Sequence, residues 1–179
     1  MRRNAVANRE RILAAAEAVF GDHGAVGSTE EVARRAEVGI ATVFRHFPTK
    51  AALIEAALVR HFDLLNDQVA ELADRADPGP ALHQLIRTMI ETGSTKLTLA
   101  SLVSDGTLPP SVATASDALR TRVQNLLERA QRSGEVRQGV SVDEVYLLIR
   151  GLAQASATMP TATETLQRAA TVVISGLHP

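Results

Sequence analysis

The sequence predicts an all-α protein of about nine helices. Apolar residues recur at spacings of three and four along most of the 179 residues, which is the period of a helix that buries one face. Aromatic residues make up only 3% and Trp is absent, so the core must consist of Leu, Val, Ile and Ala, as in packed helices. The one β-rich run, residues 171–175, fits a helical stripe better than a strand.

The composition excludes several classes of protein. The chain has no Cys, so neither disulfides nor thiolate metal sites can form. No apolar run approaches the ~20 residues of a membrane span, and the basic N-terminus lacks the apolar segment of a signal peptide. We therefore expect a cytoplasmic protein without a membrane part. The net charge is −1, but residues 1–50 carry eight Lys/Arg against six Asp/Glu, a weak asymmetry that suits nucleic-acid binding.

The first fifty residues predict three helices. The first covers about residues 7–23. Ser28 is predicted to cap the second helix, with Glu31 three residues later as in a capping box. Gly39 is expected to relax the backbone of a short turn, and a third helix follows over about residues 41–47. A helix, a short turn and a second helix can place that second helix in the major groove of DNA.

The rest of the chain predicts one long helix followed by five others. The long helix begins at Lys50 and reaches about residue 76, where the sequence Asp-Pro-Gly-Pro at 77–80 breaks it. The further helices are predicted, in chain order, at about residues 81–93, 97–103 (short), 112–132, 142–159 and 161–177. We divide the chain into two domains, residues 1–50 and residues 51–179.

Three segments of the N-terminal region resemble the DNA-binding domain of TetR-family transcriptional regulators. They are R-I-L-A-A-A-E-A-V-F at 11–20, V-A-R-R-A-E-V at 32–38 and T-V-F-R-H-F-P-T-K-A-A-L at 42–53. The resemblance covers about the first 50–60 residues, and its R-H-F-P-T-K segment is specific. It implies an all-α homodimer with an N-terminal three-helix helix-turn-helix domain that binds a palindromic operator. It also implies a C-terminal helical domain for ligand binding and dimerisation.

Ten residues of this region are candidate DNA contacts. Residues at the start of a recognition helix face the groove, and Thr42 can bond a phosphate or touch a thymine methyl. Lys50 starts the next helix, where its charge adds to free N–H groups. The ten residues are Ser28, Thr29, Gly39, Ile40, Ala41, Thr42, Phe44, Arg45, His46 and Lys50. The basic tail offers four further contacts, Arg2, Arg3, Arg9 and Arg11.

The region departs from the usual family pattern at several positions. Phe44 stands where Tyr is common, so a hydroxyl contact to phosphate is missing, and Glu30 near the DNA edge should repel phosphate. Glu37 replaces the usual Gly before the turn. Ile40 and Ala41 cannot hydrogen-bond bases through their side chains. We therefore expect DNA shape and apolar contacts to contribute more to recognition than hydrogen bonds do.

The second domain offers candidates for an effector pocket and a dimer interface. Polar or adaptable residues on apolar stripes are pocket candidates, although Met and Tyr at this spacing are also typical of a core. The candidates are His61, His83, Met89, Tyr146 and Arg150. The last two predicted helices mix small and branched residues, which favours a four-helix interface between two copies of the chain. An intramolecular core is the alternative.

The sequence as a whole predicts a DNA-binding transcriptional regulator. By the resemblance it is a repressor, released from its double-stranded operator by a small-molecule effector of unknown identity that acts through the long helix. The alternative is a helical DNA-binding protein that acts without an effector, against which a closed cavity in the second domain would argue. An enzyme is not expected, because no nucleophile, acid–base pair or metal motif such as H-E-x-x-H is present. Nor do we predict a metal or another cofactor.

Overall fold

A computed structural model describes residues 2–73, 77–103, 107–159 and 161–179. Within these ranges it contains nine α-helices, one short 3-10 helix over Gly24–Val26, and no strand. The all-α prediction is therefore confirmed. The helices are α1 (Arg2–His23), α2 (Thr29–Arg35), α3 (Ile40–His46), α4 (Lys50–Ala73), α5 (Pro78–Glu91), α6 (Gly93–Val103), α7 (Pro110–Arg132), α8 (Val142–Thr158) and α9 (Thr163–Ser175). None of these helices is both long and apolar enough to cross a bilayer.

Two of the helices begin at the serine caps that the sequence predicts. The Ser28 hydroxyl accepts a hydrogen bond from the backbone N–H of Glu31 at 3.1 Å and so starts α2. At α8 the capping box is complete, because Ser141 accepts from the N–H of Glu144 and the Glu144 carboxylate accepts from the N–H of Ser141 at 2.7 Å. At α2, in contrast, the Glu31 carboxylate pairs with Arg34.

Several helix boundaries differ from the sequence prediction. The sequence predicts a break over residues 77–80, but α5 already begins at Pro78. Helix α7 likewise begins at Pro110, two residues before its predicted start. Proline fits the first turn because the N–H that it lacks has no acceptor within the helix there. The first helix starts at Arg2, five residues earlier than predicted, and α6 is three turns long rather than short. The predicted end of α4 at residue 76 and the breaks at 105–106 and 160 lie outside the described residues.

The contacts divide the chain into two compact units. The first consists of Met1–His61 and Thr95–Ala113, and the second of Phe62–Ser94 and Thr114–Pro179. Helices α4 and α7 contribute residues to both units. The domain boundary after residue 50 stays a prediction, because a division by contacts does not test where a function ends.

The core of the first unit is formed by the predicted apolar stripes. One face of α1 is buried there, namely Ile12, Leu13, Ala16, Val19 and Phe20. Val43 of α3 and Phe47, just after it, are buried as well, so Phe47 is a core residue as predicted. Helix α6 approaches α1 closely, since a Cβ added to Gly21 would lie 2.7 Å from Cγ2 of Thr95.

The core of the second unit is formed by α5 and α7–α9 with the second half of α4. The side chains of Leu82, Leu85, Ile86 and Ile90 make α5 the most deeply buried helix there. Gly93 lets the start of α6 approach α8, because a Cβ at this position would lie 2.5 Å from the Cβ of Ala153.

Candidate nucleic-acid interface

The turn between α2 and α3 contains a residue in the left-handed conformation and is closed by two backbone hydrogen bonds. The N–H of Val38 donates to the carbonyl of Ala33 at 3.0 Å, and the N–H of Glu37 donates to that of Arg34 at 3.2 Å. This pattern is a Schellman motif, which needs a positive φ at its central residue. That residue is Glu37, with φ 53°. Gly39 has φ −70° and is extended, so it does not supply the conformational freedom that the sequence suggested.

The second helix of the pair, α3, is anchored by one side and exposed on another. Val43 is fully buried and Phe47, which follows the helix, is buried too. Thr42 and His46 are partly exposed. The outward face carries four of the predicted DNA contacts, Ile40, Ala41, Phe44 and Arg45. Spacings of one and four residues place such side chains on one side of a helix, so the structure brings these four together.

The start of α2 is less accessible than the face of α3. Thr29 is buried, and its hydroxyl donates to the carboxylate of Glu30 at 3.3 Å. Ser28 is partly exposed and is already engaged as the helix cap. The predicted phosphate contacts of both residues stay predictions.

Lys50 holds two distant segments of the first unit together. Its ammonium donates to the carbonyls of Ala25 at 2.9 Å and Gly27 at 2.6 Å, and it lies 5.2 Å from the centroid of the Phe20 ring. Sequence reasoning missed this role because the carbonyls lie 23 and 25 residues away. An ammonium has three donors, so one N–H remains available to the phosphate that we predicted as its partner.

The basic N-terminal tail is part of helix α1, and two of its arginines contact the region around α3. The Arg9 guanidinium lies 5.4 Å from the centroid of the Phe47 ring. Arg11 donates to Asn8 at 2.8 Å and lies 3.9 Å from the Glu37 carboxylate. The side chains of Arg2 and Arg3 lie outside the described residues. Arg9 therefore brings a positive charge to the end of the predicted recognition helix.

A partly buried polar network joins α1 to α4. Glu17 accepts from Arg60 at 2.7 Å and lies 2.8 Å from Nδ1 of His61, and Arg60 also pairs with Glu10. Burial of the Glu17 carboxyl opposes its ionisation, but the hydrogen bonds and charges of His61 and Arg60 outweigh this and lower its pKa. His61, a predicted pocket residue, is thus placed in the first unit and paired with α1.

The other four predicted pocket residues, His83, Met89, Tyr146 and Arg150, lie in the second unit. His83 packs edge-on against His178 with ring centroids 4.9 Å apart, and burial beside that ring lowers the pKa of His83. Burial raises the pKa of Tyr146 to about 12, and among the described residues its hydroxyl has no hydrogen-bond partner. Met89 is buried and Arg150 is exposed. Their role in an effector pocket stays a prediction.

A groove of about 220 Å³ in the second unit was not predicted from the sequence. Two arginines at its rim donate to carbonyls of α4, Arg122 to Asn66 at 2.9 Å and Arg129 to Ala73 at 2.5 Å. The groove is lined by Val69, Ala70, Ala73, Arg122, Asn125, Leu126 and Arg129. The only sequence signal is the spacing of seven between the two arginines, which places them on one face of α7. Nowhere in the described ranges do three or more His, Cys, Asp or Glu group as metal ligands.

Helices α8 and α9 expose large apolar side chains. Leu147 is 71% exposed, Val172 is 72% exposed, and Leu148 and Met159 are exposed as well. Gly151 has open space where a Cβ would lie, so the surface around it is unobstructed. Large apolar side chains that form one exposed patch are typical of a protein interface.

Comparison with known proteins connects both parts of the chain to one family. Residues 12–57 match the model of bacterial regulatory proteins of the tetR family, and residues 77–179 match that of the SbtR-like transcriptional regulator C-terminal domain. The structure is similar to the TetR transcriptional regulator SCO0520 from Streptomyces coelicolor, with 31% identity and a TM-score of 0.82 over 96% of this chain and 98% of that one.

Two further comparisons bear on the same point. A TetR transcription regulatory protein from Mycobacterium vanbaalenii is 32% identical, with a TM-score of 0.80 over 99% of each chain. The regulator FadR from Bacillus subtilis, in complex with stearoyl-CoA, shares the fold at 16% identity, with a TM-score of 0.68 over 94% of this chain and 96% of that one. No protein of curated function matches the sequence. With both segments matched and two relatives above 30% identity, the chain belongs to the TetR family of transcriptional regulators.

Proposed function

We propose that this protein is a cytoplasmic homodimeric repressor that binds a palindromic operator and leaves it when a small molecule binds. The observation that carries the proposal is the outward face of α3. It is held on a rigid helix pair by Val43 and Phe47 and ends in Arg45 and His46. A helix presented in this way fits the major groove, and flanking cations fit the phosphates beside it.

The dimer is supported by the apolar surface of α8 and α9. Leu147 and Val172 are largely exposed in the single chain, and contact with a second protein surface would bury them. An identical copy provides such a surface by two-fold symmetry, and a two-fold dimer reads a palindrome because its two heads are related in the same way as the half-sites. Residues of both last helices would then form the interface.

The response to an effector is supported by the groove in the second unit. It combines apolar side chains with Arg122 and Arg129, which suits a small amphipathic molecule with a negative group. Its 220 Å³ is below the ~300–1,000 Å³ of most ligand sites. That size favours the second candidate function, a regulator that binds DNA without an effector. Helix α4 contributes to both units and is the physical connection that a response to an effector requires.

Selection of DNA fragments tests the proposed function. The full chain is immobilised, fragments of the source genome are passed over it, and the retained fragments are sequenced. We expect a small set of fragments that share an inverted repeat. The control is the doubly substituted Arg45→Glu, His46→Glu chain, which should retain none of them because its face repels phosphate. A random set of fragments, or equal retention by the control, would contradict the proposal.

A further inference from the structure

The outward face of α3 is apolar where a DNA-reading helix usually carries polar side chains. Ile40 is 37% exposed and Phe44 is 42% exposed, with the small side chain of Ala41 beside them. The chain has four Phe, and the other three are at most 5% exposed. An exposed aromatic ring beside an exposed Ile is unfavourable in water and gains from being covered.

The charged residues around this face indicate that the partner that binds to it is a polyanion. Helix α3 contains no acidic residue and ends in Arg45 and His46. Arg9 adds a third basic side chain next to Phe47. The acidic residues that most closely precede α3, namely Glu30, Glu31 and Glu37, belong to the first turn of α2 and to the turn between the two helices. An apolar strip bordered by cations fits a major groove, whose floor is formed by base edges and whose walls are phosphates.

The start of α3 is open for a close approach. Gly39 has an ordinary extended backbone, so its own conformation does not require glycine. Apart from its two chain neighbours, none of the described residues has an atom within 4 Å of the position that its Cβ would occupy. The missing side chain therefore serves no packing contact inside the chain, and its absence leaves room for a partner directly in front of Ile40.

We infer that this face recognises the 5-methyl groups of thymine. The inference rests on the proposed function and names the chemical feature that the operator must carry. In the major groove the only apolar group on a base edge is the C5 methyl of thymine, while the other groups are hydrogen-bond donors and acceptors. The hydrocarbon side chains of Ile40, Ala41 and Phe44 cannot satisfy those donors and acceptors, so they favour base pairs that present a methyl group.

Two random-sequence duplex libraries test this inference. One is synthesised with thymidine and the other with deoxyuridine, which pairs identically but lacks the methyl group. The full chain is used to select from each, and affinities are then measured for single sequences in both forms. We expect the thymidine library to yield inverted repeats rich in thymine. The uracil form of each selected site should bind about fourfold more weakly for each methyl contacted, the value of one buried carbon group.

Variants of the exposed face complete the test. Phe44→Ala, whose folding is checked by circular dichroism, should discriminate less between the thymine and uracil forms than the unaltered chain does, because one of the three hydrocarbon side chains is truncated. Arg45→Ala should weaken both forms alike, because a phosphate contact does not sense a methyl group. Equal binding of both forms by the unaltered chain, or a discrimination that Phe44→Ala does not reduce, would overturn the inference while the proposed function stands. Failure of both libraries to yield any preferred sequence would instead overturn the proposed function.

Discussion

Glu37 adopts a backbone conformation that glycine adopts more easily. Its φ of 53° lies in the left-handed region, where a residue with a Cβ is strained by about 1–2 kcal/mol. Glycine removes that strain but loses ~0.4–1 kcal/mol through the greater freedom of the unfolded chain. Glu37→Gly should therefore stabilise the protein by about 0.5–1 kcal/mol, measured by urea unfolding.

Gly134 provides the matched control for this substitution. It has φ 76°, and no atom lies within 4 Å of a Cβ built there, so only the backbone conformation responds to a substitution. Gly134→Ala should destabilise by about 0.5–1 kcal/mol, because the same two effects act there with opposite sign. An unchanged or lower stability of Glu37→Gly would show that the turn does not hold Glu37 in the left-handed region.

Glu17 gives the stability of the protein an acid-sensitive component. The pKa of Glu17 is lower in the folded state than its ordinary value of 4.5, so its contribution is complete above pH 4.5 and is lost as the pH falls below it. Glu17→Gln should cost about 1–3 kcal/mol at pH 7, because it removes the carboxylate charge that Arg60 and His61 contact, while the pair of Arg60 with Glu10 remains. The difference in unfolding free energy between the unaltered chain and Glu17→Gln should become smaller when urea unfolding is measured below pH 4.5. A constant difference would mean that the carboxyl charge does not contribute.

At the scale of helices, the close approach of α6 to α8 restricts which residue can occupy position 93. A methyl group on Gly93 would lie 2.5 Å from that of Ala153, well inside van der Waals contact. Gly93→Ala should destabilise by about 1–3 kcal/mol. Adding Ala153→Gly removes the clash, so the double variant should be more stable than the sum of the two single effects predicts. Additive effects in urea unfolding would contradict the packing described here.

Local sequence signals predicted the helices and their caps well. Ser28 and Ser141 begin α2 and α8 because a cap depends only on residues three positions apart. Contacts between distant segments could not be predicted in this way. The attachment of Lys50 to the carbonyls at residues 25 and 27, and the groove beside Arg122, depend on how helices pack. The sequence predicts that Gly39 relaxes the backbone of the turn, whereas the left-handed residue of the turn is Glu37.

At the scale of the whole molecule, the proposed dimer rests on the exposed apolar side chains of α8 and α9. Leu147→Asp should weaken the dimer at least about a hundredfold, since two leucines per dimer each lose ~1.5–3 kcal/mol of burial. Sedimentation velocity at micromolar concentration should then show a monomer. Leu64→Asp, at another exposed leucine on α4, is the matched control and should remain a dimer. A dimer that persists with Leu147→Asp would exclude this residue from the interface.

Footprinting of the full chain on a fragment retained in the genomic selection tests the central claim most directly. The claim is that two copies of α3 enter successive major grooves of one duplex. It predicts two protected segments with inverted sequences, their centres about one helical turn of ~10 base pairs or a multiple apart, with two chains bound per duplex. Protection should disappear with Arg45→Glu, His46→Glu. A single protected segment, protection without symmetry, or a footprint that survives those substitutions would contradict the claim.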